Sequence, residues 1–238
     1  IALRFFWNNS YEKTSLKIWS ELSIDSRLII DVGAHTGVYS LAALTSNKQA
    51  EVISFEPNFL NFGRLNLNLR ANSFSTKNTF MLGVGKVEGN AAFSIPFGFD
   101  YLSTGGTLGS KDDQLTYSAS IVSLDSFLRQ DQRSMVDLVK IDTECHEDLV
   151  LEGMAGVLLK SRPILLFECI DKEVGTAVKE ILLEYDYHFY LVDEVNGKVI
   201  PVDEIEPIFG QDGRPIFHLL NRIACPDNKT PRLGILAK

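Results

Sequence analysis

The chain has 238 residues, of which 45% are hydrophobic, and its formal net charge is −8 at pH 7. This length and apolar content predict a single domain over 1–238 with a large core. The acidic balance, without any basic run or stripe, argues against nucleic acid as the main partner. No apolar run approaches the ~18 residues of a membrane-spanning helix, and no signal peptide is visible.

The three cysteines are widely separated and odd in number. Cys145, Cys169 and Cys225 form no C-x-x-C pair, which argues against both a disulfide framework and a zinc site. Their sparse use predicts reduced thiols in a cytoplasmic protein.

An amphipathic helix is predicted over residues 10–22, inside an N-terminal helical segment that covers 1–26. Ser10 suits the N-cap position. Leu16, Ile18, Trp19 and Leu22 form an apolar stripe, so the helix is expected to pack on a sheet.

Residues 27–44 predict a buried strand, a glycine turn and a helix. The apolar, β-branched run over 28–32 is typical of a parallel strand covered on both faces, and Asp31 interrupts it near its carboxyl end. Gly33 and Gly37 bracket the turn D-V-G-A-H-T-G. Backbone N–H groups point into a crevice at such a turn, and glycine allows a ligand to come close to the backbone.

The chemistry of this turn favours S-adenosylmethionine over a dinucleotide. A dinucleotide site uses G-x-G-x-x-G and stays open to pyrophosphate. Here a pyrophosphate would meet the Asp31 carboxylate and the side chain of His35, which stands in place of a middle glycine. S-adenosylmethionine carries no phosphate but has an ammonium and a sulfonium. A dinucleotide site and a plain α/β turn are the alternatives.

A second strand over 51–55 ends in Glu56 and Pro57, and Asn58 is placed to cap a helix that runs to about residue 72. An acid about 20 residues past a glycine turn is positioned to accept hydrogen bonds from both ribose hydroxyls of a nucleoside. Glu56 is therefore predicted to bind the cofactor ribose, and a solvated surface carboxylate is the alternative.

A third strand is predicted over 79–84, which includes Gly83, and a further strand over 91–95. Residues 96–120 then change character: they are rich in Gly, Ser and Thr, with interleaved aromatic residues and no helical period. An insertion of this length inside a compact domain is usually functional or mobile. It is expected to be a loop that either covers the substrate or lies on the surface.

The segment 136–148 predicts a fourth buried strand followed by a cluster of titratable groups. Five such groups occur within seven residues, at the end of the strand: Asp142, Glu144, His146, Glu147 and Asp148. Ligands of open α/β sheets bind at the carboxyl ends of the strands, so this cluster is a candidate active site.

The remaining pattern completes an α/β chain. It predicts a short strand at 122–124, helices at 125–129, 147–159 and 173–185, strands at 163–168 and 188–192, a hairpin around Asn196-Gly197, and a strand or loop at 217–223. Strands that alternate with helices in this way predict a doubly wound, mostly parallel sheet with an antiparallel edge hairpin.

Several of these stretches, in this order, resemble the FkbM family of S-adenosylmethionine-dependent methyltransferases. They are DVGAHTGVYSLAAL, EVISFEPN with NLNLRAN, VSLDSFL, VDLVKIDTECHEDLVLEGM and PILLFE, which span about 27–168, and NRIACP near 221–226. The resemblance implies a Rossmann-like class I methyltransferase fold and O-methylation of sugars or secondary metabolites. It assigns Asp31, Gly33, His35 and Gly37 to the cofactor turn, Glu56 to the ribose, and Asp142 and Glu144 to the fourth-strand acids.

One position departs from the family pattern. The family usually reads D-x-E-G-x-E after the fourth strand, and this chain has Cys145 in place of that glycine. If the position requires a positive φ, Cys145 is strained or the turn differs.

These observations predict an O-methyltransferase that acts on a hydroxyl of a small molecule or glycan. The alternatives are N-methylation of a small amine and a non-catalytic binding module. A histidine side chain in general has the best-matched pKa for a base near neutrality, which favours His146, whereas Asp142 is also placed to hold the cofactor's amino group or a metal. No bound metal is expected. The candidate catalytic residues are Asp142, Glu144, His146 and Glu147, and the candidate cofactor-binding residues are Asp31, Gly33, Ala34, His35, Gly37, Tyr39, Glu56, Pro57, Asn58, Gly83 and Asp142.

Overall fold

The computed structural model describes residues 12–96, 106–109 and 114–230. An eight-stranded sheet forms its centre, in the order β11-β10-β12-β9-β8-β1-β2-β3. The strands of this sheet are β1 (Leu28–Val32), β2 (Glu51–Phe55), β3 (Thr79–Phe80), β8 (Val136–Ile141), β9 (Ile164–Glu168), β10 (Tyr187–Asp193), β11 (Lys198–Val202) and β12 (Asn221–Pro226).

The strands β9, β8, β1, β2 and β3 run parallel, and β12, β10 and β11 add antiparallel pairs at one side. The predicted α/β fold with an antiparallel edge hairpin is therefore confirmed. Residues 217–223, predicted as either a strand or a loop, form a short 3-10 turn, Phe217–Leu219, and the start of β12. Strand β12 lies between β9 and β10, so the β10–β11 hairpin does not pair directly with the parallel strands.

Helices cover both faces of the sheet. They are α1 (Lys13–Ser23), α2 (Val38–Ser46), α3 (Phe59–Ala71), α4 (Leu124–Phe127), α5 (Gln130–Arg133), α6 (Glu147–Glu152), α7 (Ala155–Ser161) and α8 (Lys172–Leu183). The central strands β1 and β8 are buried along their whole length and supply apolar side chains to a separate core on each face. The predicted helix over 147–159 is two helices, broken at Gly153 and Met154.

The N-terminal helix packs as its apolar stripe predicts. Leu16, Ile18, Trp19 and Leu22 are all buried in the core on the α2 face of the sheet. The expected N-cap, Ser10, lies outside the described residues. Within those residues, no helix has the length and apolar character needed to span a bilayer.

A second, four-stranded sheet in the order β4-β7-β5-β6 was not expected from the sequence. Its strands are β4 (Gly83–Val84), β5 (Gly89–Pro96), β6 (Thr107–Leu108) and β7 (Gln114–Val122). The predicted third strand over 79–84 is thus two short strands in different sheets. Residues 114–120 of the expected loop form a strand instead, because they pair with β5 along its whole length. Strand β7 ends at Val122, so the strand predicted at 122–124 is wrong, and Leu124 starts α4.

Candidate cofactor and active site

The turn between β1 and α2 is shaped by contact with the turn that follows β8. Gly33 has φ of 77°, and a Cβ placed on it would lie 1.8 Å from the carbonyl oxygen of Asp142. Gly37 has φ of 88° and faces Leu65 of α3, 2.5 Å from an ideal Cβ. Gly33 is therefore required both by its positive φ and by close packing against backbone, and Gly37 is favoured by its positive φ.

Asp31 lies at the centre of the parallel strands and is buried. Its carboxylate accepts a 2.5 Å hydrogen bond from the Ser40 hydroxyl, which is also 2.7 Å from the Ser54 hydroxyl. Burial raises the pKa of Asp31 to about 6, although the Ser40 hydrogen bond and the nearby Lys140 ammonium oppose that rise. Asp31 is thus a carboxylate that gains from a cationic ligand.

Glu56 joins the first turn to the start of α3. One of its oxygens accepts the backbone N–H of His35 at 2.7 Å, and the other accepts the N–H of Asn58 at 2.8 Å. Burial raises its pKa to about 8, against the effect of these two hydrogen bonds, and the charges of Asp142 and Asp31 add to the rise. Each carboxylate oxygen retains a further lone pair for a donor such as a ribose hydroxyl.

Asn58 is the N-cap of α3, as predicted: its side-chain oxygen accepts the N–H groups of Leu60 and Asn61. Pro57 places its carbonyl 2.7 Å from the Tyr117 hydroxyl, which joins the second sheet to this turn. Ala34 is buried and donates its N–H to the Phe55 carbonyl at 2.9 Å. These contacts hold the carboxyl end of β2 against the glycine turn.

The turn after β8 carries the predicted catalytic residues. Glu144 and Cys145 have φ of 54° and 73°, so two consecutive residues with side chains adopt the left-handed conformation. The Nδ1 atom of His146 lies 3.3 Å from the Glu144 carbonyl oxygen. Glu147 is buried, and its carboxylate accepts both the N–H and the hydroxyl of Thr143 at 3.0 Å, which fixes the turn.

The conditional expectation for Cys145 is therefore met: the position does require a positive φ, and the chain fills it with a residue that bears a Cβ. All three cysteines are unbridged.

An open crevice with about 330 Å³ of empty space lies where the two turns meet. It brings together most of the predicted cofactor-turn residues and adds three that the sequence did not single out, namely Thr36, Val38 and Lys140. Its lining consists of Asp31, Gly33, Ala34, His35, Thr36, Val38, Tyr39, Lys140 and Asp142. Gly83 lies apart from it, buried in β4, where an ideal Cβ would be 2.5 Å from a methyl group of Ile121.

Lys140 is the functional candidate that sequence reasoning missed. It sits inside β8, its side chain is 1% exposed, and its Nζ atom is 3.1 Å from Asp142 Oδ2. The only available signal was a lysine within an otherwise apolar strand, two residues before Asp142 and therefore on the same face.

Glu168, at the end of β9, is a second acid near this site. Burial raises its pKa well above the ordinary value, the charge of Asp142 adds to the rise, and Lys140 opposes it. Among the described residues, no group of three or more His, Cys, Asp or Glu side chains has a geometry that could hold a metal ion.

A family profile described as "Methyltransferase FkbM domain" matches residues 31–189. No curated protein matches the chain.

Among solved structures, methyltransferase FkbM from Methylobacillus flagellatus is similar, with a TM-score of 0.54 and 16% identity over 84% of this chain and 44% of that one. The chain thus spans less than half the length of that protein. An rRNA methylase from Streptococcus thermophilus has a TM-score of 0.49 and 13% identity, covering 90% of this chain and 95% of that one. A SAM-dependent O-methyltransferase from Thermotoga maritima has a TM-score of 0.44 and 14% identity, covering 89% and 63%.

Proposed function

The chain belongs to the FkbM methyltransferase family, and we propose that it is a class I S-adenosylmethionine-dependent methyltransferase that methylates a hydroxyl oxygen of a sugar, glycan or secondary metabolite. The observation that carries this proposal is the crevice between the two strand-end turns, with carboxylates at its centre and a histidine on the second turn. S-adenosylmethionine supplies a methyl carbon that its sulfonium already activates.

The residues present fit this cofactor. Gly33 exposes its backbone to the crevice, Glu56 has lone pairs available for ribose hydroxyls, and Asp31 and Asp142 offer negative charge to a cationic ligand. A phosphate would be repelled by the same carboxylates. We therefore place the cofactor in this crevice, with its ribose toward Glu56.

The remaining task of the protein is to align the acceptor and to remove its proton. Alignment of the attacking oxygen with the methyl carbon supplies much of the rate enhancement in such a displacement. The hydroxyl proton needs a base, because a neutral hydroxyl is a poor nucleophile.

The contacts of the second turn favour His146 as that base. Asp142 is already paired with Lys140, and Glu147 already accepts two hydrogen bonds from Thr143. If His146 Nδ1 carries the proton and donates it to the Glu144 carbonyl, its Nε2 atom holds a lone pair. That atom is then suited to accept the proton of an acceptor hydroxyl.

The acceptor is identified by incubating the protein with isotopically labelled S-adenosylmethionine and a pool of cellular glycans and metabolites, followed by mass spectrometry. A labelled methyl group on an oxygen supports the proposal. A methyl group on an amine would favour N-methylation, one on RNA would overturn the predicted absence of a nucleic-acid partner, and no transfer at all would favour a binding module.

The base is tested on the acceptor so found, after exhaustive EDTA treatment. His146→Ala is expected to lower kcat by roughly 100-fold or more, while Asp142→Asn should mainly weaken cofactor binding. His188→Ala is the matched control, because His188 is exposed at the amino end of β10, the opposite edge of the sheet. Activity lost with EDTA and restored by magnesium would contradict the metal-independent account, and a large kcat loss only in Asp142→Asn would move the base to the aspartate.

A further inference from the structure

Glu168, the last residue of β9, is a carboxylate at the carboxyl edge of the sheet, one strand beyond Asp142. Its side chain is partly exposed, and no hydrogen bond or ion pair from the described residues reaches it. Burial and the charge of Asp142 raise its pKa well above the ordinary value, and Lys140 opposes that rise. A poorly solvated carboxylate in this position gains from any hydrogen-bond donor that reaches it.

The sheet register places Glu168 between Asp142 and Asn221. Ile141 of β8 pairs with Phe167, so the next residues along these parallel strands, Asp142 and Glu168, are neighbours. On the other side, Asn221 of β12 pairs directly with Glu168. Paired residues of adjacent strands project to the same face of a sheet. The three side chains therefore form one row along this edge, which leads away from β1.

The residues before and after this row show which face of the sheet carries it. Leu166, two residues before Glu168, and Ile223, two residues after Asn221, both belong to the core beneath α1 and α2. Side chains two residues apart in a strand share a face. Glu168 and Asn221 thus lie on the face that carries Lys140, which contacts the Tyr39 ring of α2. The row is an extension of the crevice on its β9 side.

Asn221 contributes an unsatisfied hydrogen-bond acceptor to the row. The residue is 3% exposed, and its Oδ1 atom has no hydrogen-bond partner within the described ranges. A buried acceptor without a donor destabilises the folded protein, so this atom is suited to a donor that a ligand brings. Paired residues have Cβ atoms roughly 5 Å apart. Two hydroxyls on neighbouring carbons of one sugar ring can therefore donate to Asn221 and Glu168 together.

The charge around the row is predominantly negative. Among the described groups whose charges act on Glu168, the carboxylates of Glu12, Asp142 and Glu144 outnumber the one ammonium, that of Lys140. Like charges repel strongly in a partly buried site, where the effective dielectric constant is low. A sugar unit that carries a carboxylate or a phosphate is therefore repelled here, whereas an uncharged hydroxyl is accepted.

We propose that Glu168 and Asn221 bind the acceptor, each accepting a hydrogen bond from a hydroxyl of the sugar unit that is methylated, and that Glu168 excludes units bearing a carboxylate or phosphate. The acceptor is then an uncharged sugar unit with free hydroxyls on neighbouring carbons. Glu168 binds substrate, and His146 keeps the role of base. The inference rests on the proposed function, because it assumes methyl transfer to a hydroxyl oxygen.

The test uses the whole chain, labelled S-adenosylmethionine and a pool of cellular glycans and metabolites that anion exchange has divided into anionic and non-anionic fractions. The wild type is expected to label the non-anionic fraction. Fragmentation of the product by mass spectrometry is expected to place the methyl group on a ring with a free neighbouring hydroxyl. A labelled ring that itself carries a carboxylate or phosphate overturns the inference.

Two variants then test the residues on the acceptor so found. Glu168→Gln keeps the shape of the side chain and removes its charge, and it should raise the KM of the acceptor roughly 10-fold, because a charge-assisted hydrogen bond becomes a neutral one. Asn221→Ala should raise KM about 5-fold through loss of one neutral hydrogen bond. In both, kcat and the affinity for S-adenosylmethionine should stay near the wild-type values. Glu173→Gln, at an exposed glutamate of α8, is the matched control.

The outcomes separate this inference from the proposed function. No labelled oxygen in any product overturns the proposed function, and the inference falls with it. A labelled hydroxyl acceptor whose KM is unchanged in both variants overturns the acceptor site and leaves the function standing. A Glu168→Gln variant that loses kcat at unchanged KM also overturns it, since Glu168 then acts on the reacting proton. Thermal unfolding verifies that each variant is folded.

Discussion

The turns after β1 and after β8 both line the crevice at the same edge of the sheet. Both contain residues in the left-handed conformation, but the residue types differ. The first has glycine at two of its left-handed positions, and His35, with φ of 51°, at a third. The second places Glu144 and Cys145 in that conformation. Both turns end buried strands that pair with each other in parallel, with one register shift between Leu28 and Ile29.

The difference shows that glycine is required for two separate reasons. Gly33 has no room for a Cβ, because the Asp142 carbonyl oxygen would be 1.8 Å away. At Cys145 the chain already carries a Cβ, so space is available and only the backbone conformation is unfavourable. A steric requirement tolerates no substitution, whereas a conformational one costs about 1–2 kcal/mol per residue.

The largest expected effect comes from disrupting the first turn at Gly33. Gly33→Ala should destabilise the protein by roughly 3 kcal/mol or more, since the new Cβ must displace the β8 turn as well as adopt a positive φ. Cofactor binding should be lost with it. Gly63→Ala is the matched control: Gly63 lies in α3 with nothing within 4 Å of an ideal Cβ, and alanine there should stabilise the helix by about 1 kcal/mol. Equal denaturation midpoints for the two variants would contradict the steric argument.

The next effect removes the Glu56 carboxylate, which accepts the backbone N–H of His35 in the first turn and is predicted to bind the cofactor ribose. Glu56→Ala should weaken S-adenosylmethionine binding roughly 10-fold or more, because charge-assisted hydrogen bonds to the ribose are lost. Glu51→Ala is the control, since Glu51 lies at the other end of the same strand. Calorimetry that finds unchanged affinity in Glu56→Ala would exclude Glu56 from the site.

How far the sequence predicts this site depends on whether a feature is local. Asp31, Glu56 and Asn58 are recognisable because strand ends and helix caps depend on neighbouring residues, and the structure has them in those places. The division of 79–84 between two sheets depends on β7, more than 30 residues later. The β5–β7 ladder likewise depends on pairing across residues 97–113, which periodicity within one segment does not report.

Lys140 illustrates the same limit at a residue of the crevice wall. In the sequence it is one polar residue inside an apolar strand, and that pattern by itself indicates no function. In the folded protein it is buried between Tyr39 of α2 and Asp142 at the end of β8. A lysine in the middle of a strand becomes a candidate for ligand binding only when tertiary packing places it beside a crevice.

A pH titration of binding sharpens the contrast, because two acids beside the first turn, Asp31 in β1 and Glu56 after β2, ionise near neutrality. Burial raises the pKa of Asp31 to about 6 and that of Glu56 to about 8. Both are expected to be ionised in the complex, Asp31 toward the cationic groups of the cofactor and Glu56 toward its ribose, so affinity should rise by roughly 1,000-fold between pH 5.5 and 8.5 and protons should be released on binding. Calorimetry in buffers of different ionisation enthalpy measures that release. A flat affinity profile with no proton release would show that neither carboxylate contacts the cofactor.

The same shifts predict the sign of their effect on stability. For each acid the folded pKa lies above the unfolded value, so the native state holds the proton more tightly. Their contribution to stability is therefore fully present below about pH 4 and is lost as the pH rises through 6 for Asp31 and 8 for Glu56. Cofactor binding offsets this loss, so the stabilisation by S-adenosylmethionine should be largest at alkaline pH.

The smallest expected effect comes from removing the backbone strain at Cys145 in the second turn. Cys145→Gly should stabilise the protein by about 1 kcal/mol or slightly less, because glycine adopts φ of 73° without the Cβ clash but also gains entropy in the unfolded chain. For a chain of this size that change raises Tm by roughly 2–4 °C. Cys145→Ala is the matched control, since it removes the thiol but keeps the Cβ and therefore the strain. If alanine and glycine raise Tm equally, the thiol and not the backbone is the unfavourable feature of this position; if only glycine does, then the left-handed conformation is what separates this turn from the one after β1.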